Sequence, residues 1–114
     1  MKDSVKKTKE FKEIYKEKKS FSDSFFVLYI NENLNNERNR LGISISKKVG
    51  NSVERHKIKR QLRDIFYRNN SNLKKVYDLV IVCKNNANGI SYKEMKDSFV
   101  NLCKKQKLFK EIND

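Results

Sequence analysis

Ser46-Lys47-Lys48-Val49-Gly50-Asn51-Ser52-Val53-Glu54-Arg55-His56-Lys57-Ile58-Lys59-Arg60-Gln61-Leu62-Arg63-Asp64-Ile65-Phe66-Tyr67-Arg68 is the stretch on which the fold turns. An alternating, strand-like run enters it and Gly50 breaks that run. Asn51 is placed to cap a helix, with Glu54 three residues on in the reciprocal position of a capping box. At roughly 100° per residue, Ile58, Leu62, Ile65 and Phe66 fall on one arc and form a buried stripe. Arg55, Lys59 and Arg63 recur at i, i+4 and i+8 beside that stripe. His56, Arg60 and Tyr67 carry the cationic side further round. A solvated helix face usually mixes charge signs so that i,i+4 pairs form. This arc holds no carboxylate: Glu54 sits at the helix start and Asp64 on the far side. Like charges one turn apart cost a few tenths of a kcal/mol per pair, roughly. An anionic partner relieves that repulsion, so the arc reads as a polyanion-binding face.

Working outward, Arg40–Ser46 alternates Leu41, Ile43 and Ile45 against Arg40, Gly42, Ser44 and Ser46. That is a half-buried strand with one small-residue face left open. Residues 31–39 are polar and Asn-rich and read as a hairpin loop. Ser24–Ile30 is an aromatic and β-branched strand, nearly apolar throughout, preceded by a short edge strand over Lys18–Phe21. Thr8 opens a first helix to about Lys18, with Phe11, Ile14 and Tyr15 on one face. Beyond the central helix, Asn69–Asn72 is a turn cluster. Val76–Cys83 is an apolar strand broken only by Asp78, and Asn85–Gly89 is a loop. Ser91 and Glu94 form a second capping box. It opens a helix whose stripe is Tyr92, Met95, Phe99, Leu102 and Cys103. The order αβββαβα predicts an α+β fold, a two-layer α/β sandwich with a small four-stranded sheet. Its second sheet face is open unless the first helix covers an end of it. Residues 1–114 form a single domain, with 1–7 and 107–114 as loose tails.

Charge locates the working surface. The chain carries +13 over 114 residues. Residues 1–39 contribute +2, residues 40–70 contribute +7 and residues 71–114 contribute +4. That concentration is the electrostatic footprint of a nucleic-acid binder. Cys83 and Cys103 belong to no CxxC and sit in apolar patterns, so they read as buried thiols in a reducing cytosol. No apolar segment follows the N-terminal basic residues, so no signal peptide is expected. The run Phe25–Ile30 is too short to span a bilayer. No segment pairs a basic face with a wide exposed apolar one, as a membrane-surface helix does. A cytoplasmic location follows.

Catalytic constellations are missing. His56 is the single histidine and stands among cations, which suits hydrogen bonding or stacking at an RNA surface better than general-base work. Three glycines form no phosphate-cradling loop, and no zinc or EF-hand spacing occurs. No catalytic residue and no protein metal site are assigned. Phe11 and Tyr15 on the first helix, with Tyr29 near the end of a strand, are candidates for a second surface. Set beside Lys47 and Lys48, they form a stacking platform with a cationic wall for a single nucleic-acid strand.

Ser46-Lys47-Lys48-Val49-Gly50-Asn51-Ser52-Val53, followed by Arg55-His56-Lys57-Ile58-Lys59-Arg60-Gln61-Leu62-Arg63, resembles the signature of the bacterial ribonuclease P protein component. The resemblance covers nearly the whole chain, including Lys9-Glu10-Phe11, Phe26-Val27-Leu28-Tyr29, Arg40-Leu41-Gly42-Ile43-Ser44 and Tyr77-Asp78-Leu79-Val80. It implies the protein subunit of a ribonucleoprotein endonuclease that removes the 5′ leader of precursor tRNA. The active site and its Mg2+ are then expected mainly in the RNA subunit, and the protein alone is not expected to cleave. The implied partners are ribonuclease P RNA and precursor tRNA, with no membrane and no required homo-oligomer. By this resemblance Lys47, Lys48, Asn51, Arg55, His56, Lys57, Lys59, Arg60 and Arg63 bind the catalytic RNA. Phe11, Tyr15 and Tyr29 line a cleft for the leader. The family's Arg-Asn-Arg element reads Arg55-His56-Lys57 here, and Lys57 keeps the charge without a bidentate guanidinium. A left-handed β-α-β crossover is also implied. A ribosomal RNA-binding protein shares the size and charge but has no use for the aromatic cleft. A protein-only nuclease lacks its carboxylate or histidine cluster.

Overall fold

The most apolar strand of the chain takes the interior of the sheet. The computed structural model describes Phe11, Ile14 and residues 19–32 and 37–110. Its strands are β1 (Ser20–Ser22), β2 (Phe26–Glu32), β3 (Arg40–Ser44) and β4 (Tyr77–Cys83). They lie in the order β1-β2-β4-β3. β1 and β2 pair antiparallel, as do β2 and β4, whereas β3 runs parallel to β4. The two long helices are α1 (Ser52–Asn69) and α2 (Tyr92–Lys105), with 3₁₀ turns at Asn70–Asn72 and Asn85–Ala87. Phe11 and Ile14 are helical, as the first-helix reading requires, and the rest of that helix lies outside the described residues.

The hairpin expected across residues 31–39 does not form. Asn31 and Glu32 continue β2, and β4 inserts between β2 and β3. An interior strand is covered on both sheet faces, and β4 has apolar side chains on both. β3 is shorter and presents Arg40, Gly42 and Ser44 on one face, which suits an edge.

Phe26, Leu28 and Ile30 of β2, Leu41 of β3, and Leu79, Ile81 and Cys83 of β4 bury one sheet face. Ile58, Leu62, Ile65 and Phe66 of α1 and Met95, Phe99, Leu102 and Cys103 of α2 close over it. Burial of each large side chain contributes about 1.5–3 kcal/mol. Tyr92 Oη donates to Asp64 Oδ2 at 2.6 Å and Arg68 Nε donates to the same oxygen at 3.0 Å, which joins the two helices. Asp23 accepts from the amides of Phe25 and Phe26 and from the Ser98 hydroxyl, which ties the β1–β2 turn to α2.

The predicted loose tail is in part held down. Leu108 and Lys107 donate their amides to Cys103 and Lys104, and Lys107 takes a left-handed conformation at φ 56°. This is a Schellman cap. It turns the chain so that Leu108 is buried and Phe109 bridges to Leu73. Two apolar residues in a polar tail supply the anchor. Residues 1–7 and 111–114 lie outside the described residues.

Candidate nucleic-acid interface

The basic face of α1 is built from its cap onward. Asn51 Oδ1 accepts from the Glu54 amide at 2.9 Å, and Glu54 Oε1 accepts from the Asn51 amide at 2.9 Å. Asn88 Nδ2 donates to Glu54 Oε2 at 3.0 Å. The Asn51 amide and Asn88 hold the Glu54 carboxyl below its ordinary range. A Cβ on Gly50 would lie 2.9 Å from Glu54 Oε1 and 3.2 Å from Asn88 Nδ2, so glycine is what admits this cap. Asn51, assigned to RNA from the sequence, thus spends its carbonyl oxygen on the helix.

The cap sets the rotation of the helix. Ile58, Leu62, Ile65 and Phe66 turn inward, all under 5 % exposed. Arg55 and Lys59 are half-buried at the edge of the core, while His56, Arg60 and Arg63 stand exposed. Burial pushes the Cys83 thiol up to about 12, with the charge of Lys59 acting in the opposite direction. None of these five side chains forms an ion pair among the described residues. Lys57 departs from the group. It lines a crevice with Glu54, Gln61 and Asn88 on the opposite flank of the helix. Tyr67 continues the basic arc, 43 % exposed.

Lys47 and Lys48 sit in the turn between β3 and α1. Its bond runs from the Val49 amide to the Ser46 carbonyl at 3.1 Å. Val49 is buried, and this anchor turns both lysines outward.

The far sheet face, which we term the trough, carries rows of side chains set by strand register. One row runs Ser20, Tyr29, Val80, Gly42, and the next Ser22, Val27, Val82, Ser44. Ile14 is buried against Val80, and Phe11, Tyr29 and Val82 pack around them. The first helix therefore covers part of this face. Phe11 and Tyr29 are brought together as the sequence suggests, both half-buried, and Tyr15 lies outside the described residues. Gly42 and Ser44 supply the small-residue floor. The cationic wall stands elsewhere than expected. Tyr29 is level with Gly42 two strands away, so Lys47 and Lys48 lie past the end of the trough rather than beside the ring.

A third row holds Asn31, Asp78 and Arg40. Arg40 donates Nε to Asp78 Oδ1 at 2.8 Å and Nη2 to Oδ2 at 2.7 Å. This bidentate pair closes one end of the trough with a buried carboxylate. The sequence shows Asp78 only as a break in an apolar strand, because its partner lies 38 residues away. Among the described residues no group of His, Cys, Asp and Glu is gathered that could hold a metal ion. Among the described residues no helix is long and apolar enough to cross a membrane.

Comparison with known proteins bears on the family and the overall fold. The family model for Ribonuclease P matches residues 1–107. The ribonuclease P protein component of Clostridium kluyveri is 49% identical over 109 residues, covering 93% of this chain and 96% of that protein. That of Clostridium novyi is 44% identical over 106 residues, covering 92% and 94%. The solved structure of the Staphylococcus aureus RNase P protein superposes with a TM-score of 0.87 at 33% identity, covering 95% of this chain and 98% of that one. The Thermotoga maritima RNase P protein gives 0.80 at 28% identity, covering 90% and 96%. With a match along almost its full length in sequence and in fold, the chain belongs to the ribonuclease P protein family, the protein subunits of the ribonuclease P endoribonuclease.

Proposed function

We propose that this chain holds ribonuclease P RNA on the basic face of α1 and receives the single-stranded 5′ leader of precursor tRNA in the trough behind the sheet. The observation that carries this reading is the separation of two unlike surfaces by one sheet. The helix side offers unpaired cations for phosphates. The far side offers Phe11 and Tyr29 above a floor of small side chains, suited to bases that stack without pairing. Arg55, His56, Lys59, Arg60 and Arg63 are the phosphate-binding set, with Lys47 and Lys48 reaching along the turn. Lys57 serves the flank facing the Asn85–Ala87 turn. The Mg2+ that the cleavage needs is held by the RNA, and the protein's cations lower the amount required by neutralising phosphates. Cleavage of tRNA precursors places the protein in the cytoplasm.

The test is precursor-tRNA cleavage by a bacterial ribonuclease P RNA at low Mg2+, with and without the protein. Stimulation that depends on the leader is expected. Arg60→Ala is expected to weaken RNA binding and lower its salt slope by about 1. Tyr29→Ala is expected to weaken precursor binding more than binding of mature tRNA. Equal losses for precursor and mature tRNA remove the leader from the trough. Absence of stimulation with RNA binding retained favours a general RNA-binding role.

A further inference from the structure

Two concavities wrap the C-terminal end of α1, and the basic face of the helix runs into them. The first, about 570 Å³, is lined by Tyr67, Arg38, Lys74, Lys75 and Lys110, with Glu37. The second, about 780 Å³, is lined by Lys74, Lys104, Lys107 and Lys110 around Val100 and Phe109. Tyr67 belongs both to the arc of α1 and to the first concavity, while Lys74 and Lys110 line both concavities. Lys75 is paired with Glu32 at 3.2 Å. Lys74, Lys104, Lys107 and Lys110 are exposed and form no ion pair among the described residues. No carboxylate among the described residues lines the larger concavity.

A bland origin exists for part of this charge. Lysines in the last turn of a helix are favoured by its dipole, which accounts for Lys104. It does not account for Lys74 and Lys110, which come from two other segments. Those segments are locked together: the Lys74 amide donates to the Leu108 carbonyl at 2.9 Å and the Lys110 amide to the Asn72 carbonyl at 2.7 Å. The Leu73–Phe109 bridge lies between them. Four ammonium groups are thereby gathered around a preformed hollow, where low-dielectric walls concentrate their field. Ammonium groups meet phosphates as point charges, and Phe109 with Val100 gives a ribose or base an apolar seat.

We propose that this hollow is a second contact for ribonuclease P RNA, a backbone track that leaves α1 at Tyr67 and continues through Lys74 and Lys110 to Lys104 and Lys107. The inference rests on the reading of α1 as an RNA face. Its test uses the full-length protein and ribonuclease P RNA, first without and then with precursor tRNA, with affinity followed against salt concentration. The variant is Lys104→Gln, Lys107→Asn and Lys110→Gln combined. All three side chains are exposed, and asparagine tolerates the left-handed conformation at position 107. The salt slope is expected to fall by about 2–3, and affinity near 0.15 M salt to drop on the order of a hundredfold. Arginine at the same three positions is expected to restore both, which a purely structural role of the lysines would not require. An unchanged slope in the triple variant, with the slope lowered by Arg60→Ala, overturns the track and leaves the α1 reading intact. If neither variant moves the slope, both readings fall. A loss that appears only when precursor tRNA is added assigns the track to the substrate and overturns its assignment to the catalytic RNA.

Discussion

Asp78 and Lys107 are the residues whose surroundings depart furthest from what their neighbours in sequence suggest. Asp78 is 3% exposed and held by Arg40, whose side chain is 18% exposed. Removing one partner of a buried pair strands the other charge, so Asp78→Ala is expected to destabilise the fold by about 3 kcal/mol. Replacing both residues with apolar ones of similar volume should cost less, and urea denaturation of the three variants checks the order. Lys107 occupies the left-handed region without being glycine. The conformation costs a residue with a Cβ about 1–2 kcal/mol, and glycine returns about half of that through its entropy. Lys107→Gly is thus expected to raise stability by about 0.5–1 kcal/mol, read as a shift in urea midpoint at unchanged slope. Neither environment is visible in the sequence. A parallel register fixes the Asp78 partner, and the cap around Lys107 depends on where Leu108 docks.

Helices were the legible elements, because their signals are local. Both capping boxes, the stripe Ile58, Leu62, Ile65, Phe66 and the stripe of α2 follow from spacing alone, and each is observed. Strand neighbours were not legible: β2 and β3 are consecutive in the chain and separated in the sheet. Two carboxylates of α1, Glu54 in its first turn and Asp64 further along, carry a pH dependence. Hydrogen bonds hold Glu54 below its ordinary value of 4.5, and those from Tyr92 and Arg68 hold Asp64 below 3.8. Lowered folded values mean stability that is present above the ordinary values and lost as pH falls through the folded ones. Stability is expected to decline below about pH 4, and Glu54→Gln with Asp64→Asn to flatten that decline in urea melts at pH 7 and pH 3. The segment after α2 is an element in its own right. Leu108 is 1% exposed, so Leu108→Ala is expected to cost about 2–4 kcal/mol by urea denaturation, where a loose tail would tolerate it.

At the scale of the whole molecule, the sheet separates α1 from the trough. Residues that share no contacts and lie on opposite sides of a packed layer contribute independently to binding. A double-mutant cycle of Arg60→Ala and Tyr29→Ala on holoenzyme binding of precursor tRNA is expected to close within about 0.5 kcal/mol. A larger coupling would mean that RNA contact reshapes the trough. Charge distribution made the helix side readable from sequence, whereas the trough required strand register, since Gly42 and Val80 meet only through the pairing of β3 with β4. That pairing also governs the order in which the protein can come into being. β4 is the last strand to be synthesised, and both strands that flank it precede it. A nascent chain that stops short of Tyr77 has only the β1–β2 hairpin as sheet, and an isolated hairpin is marginal. The segment with the densest positive charge, residues 40–70, leaves the ribosome while its scaffold is still incomplete. The sheet is therefore complete only once β4 has joined both β2 and β3, and the core beneath α1 closes later still, when Met95, Phe99, Leu102, Cys103 and Leu108 have followed it.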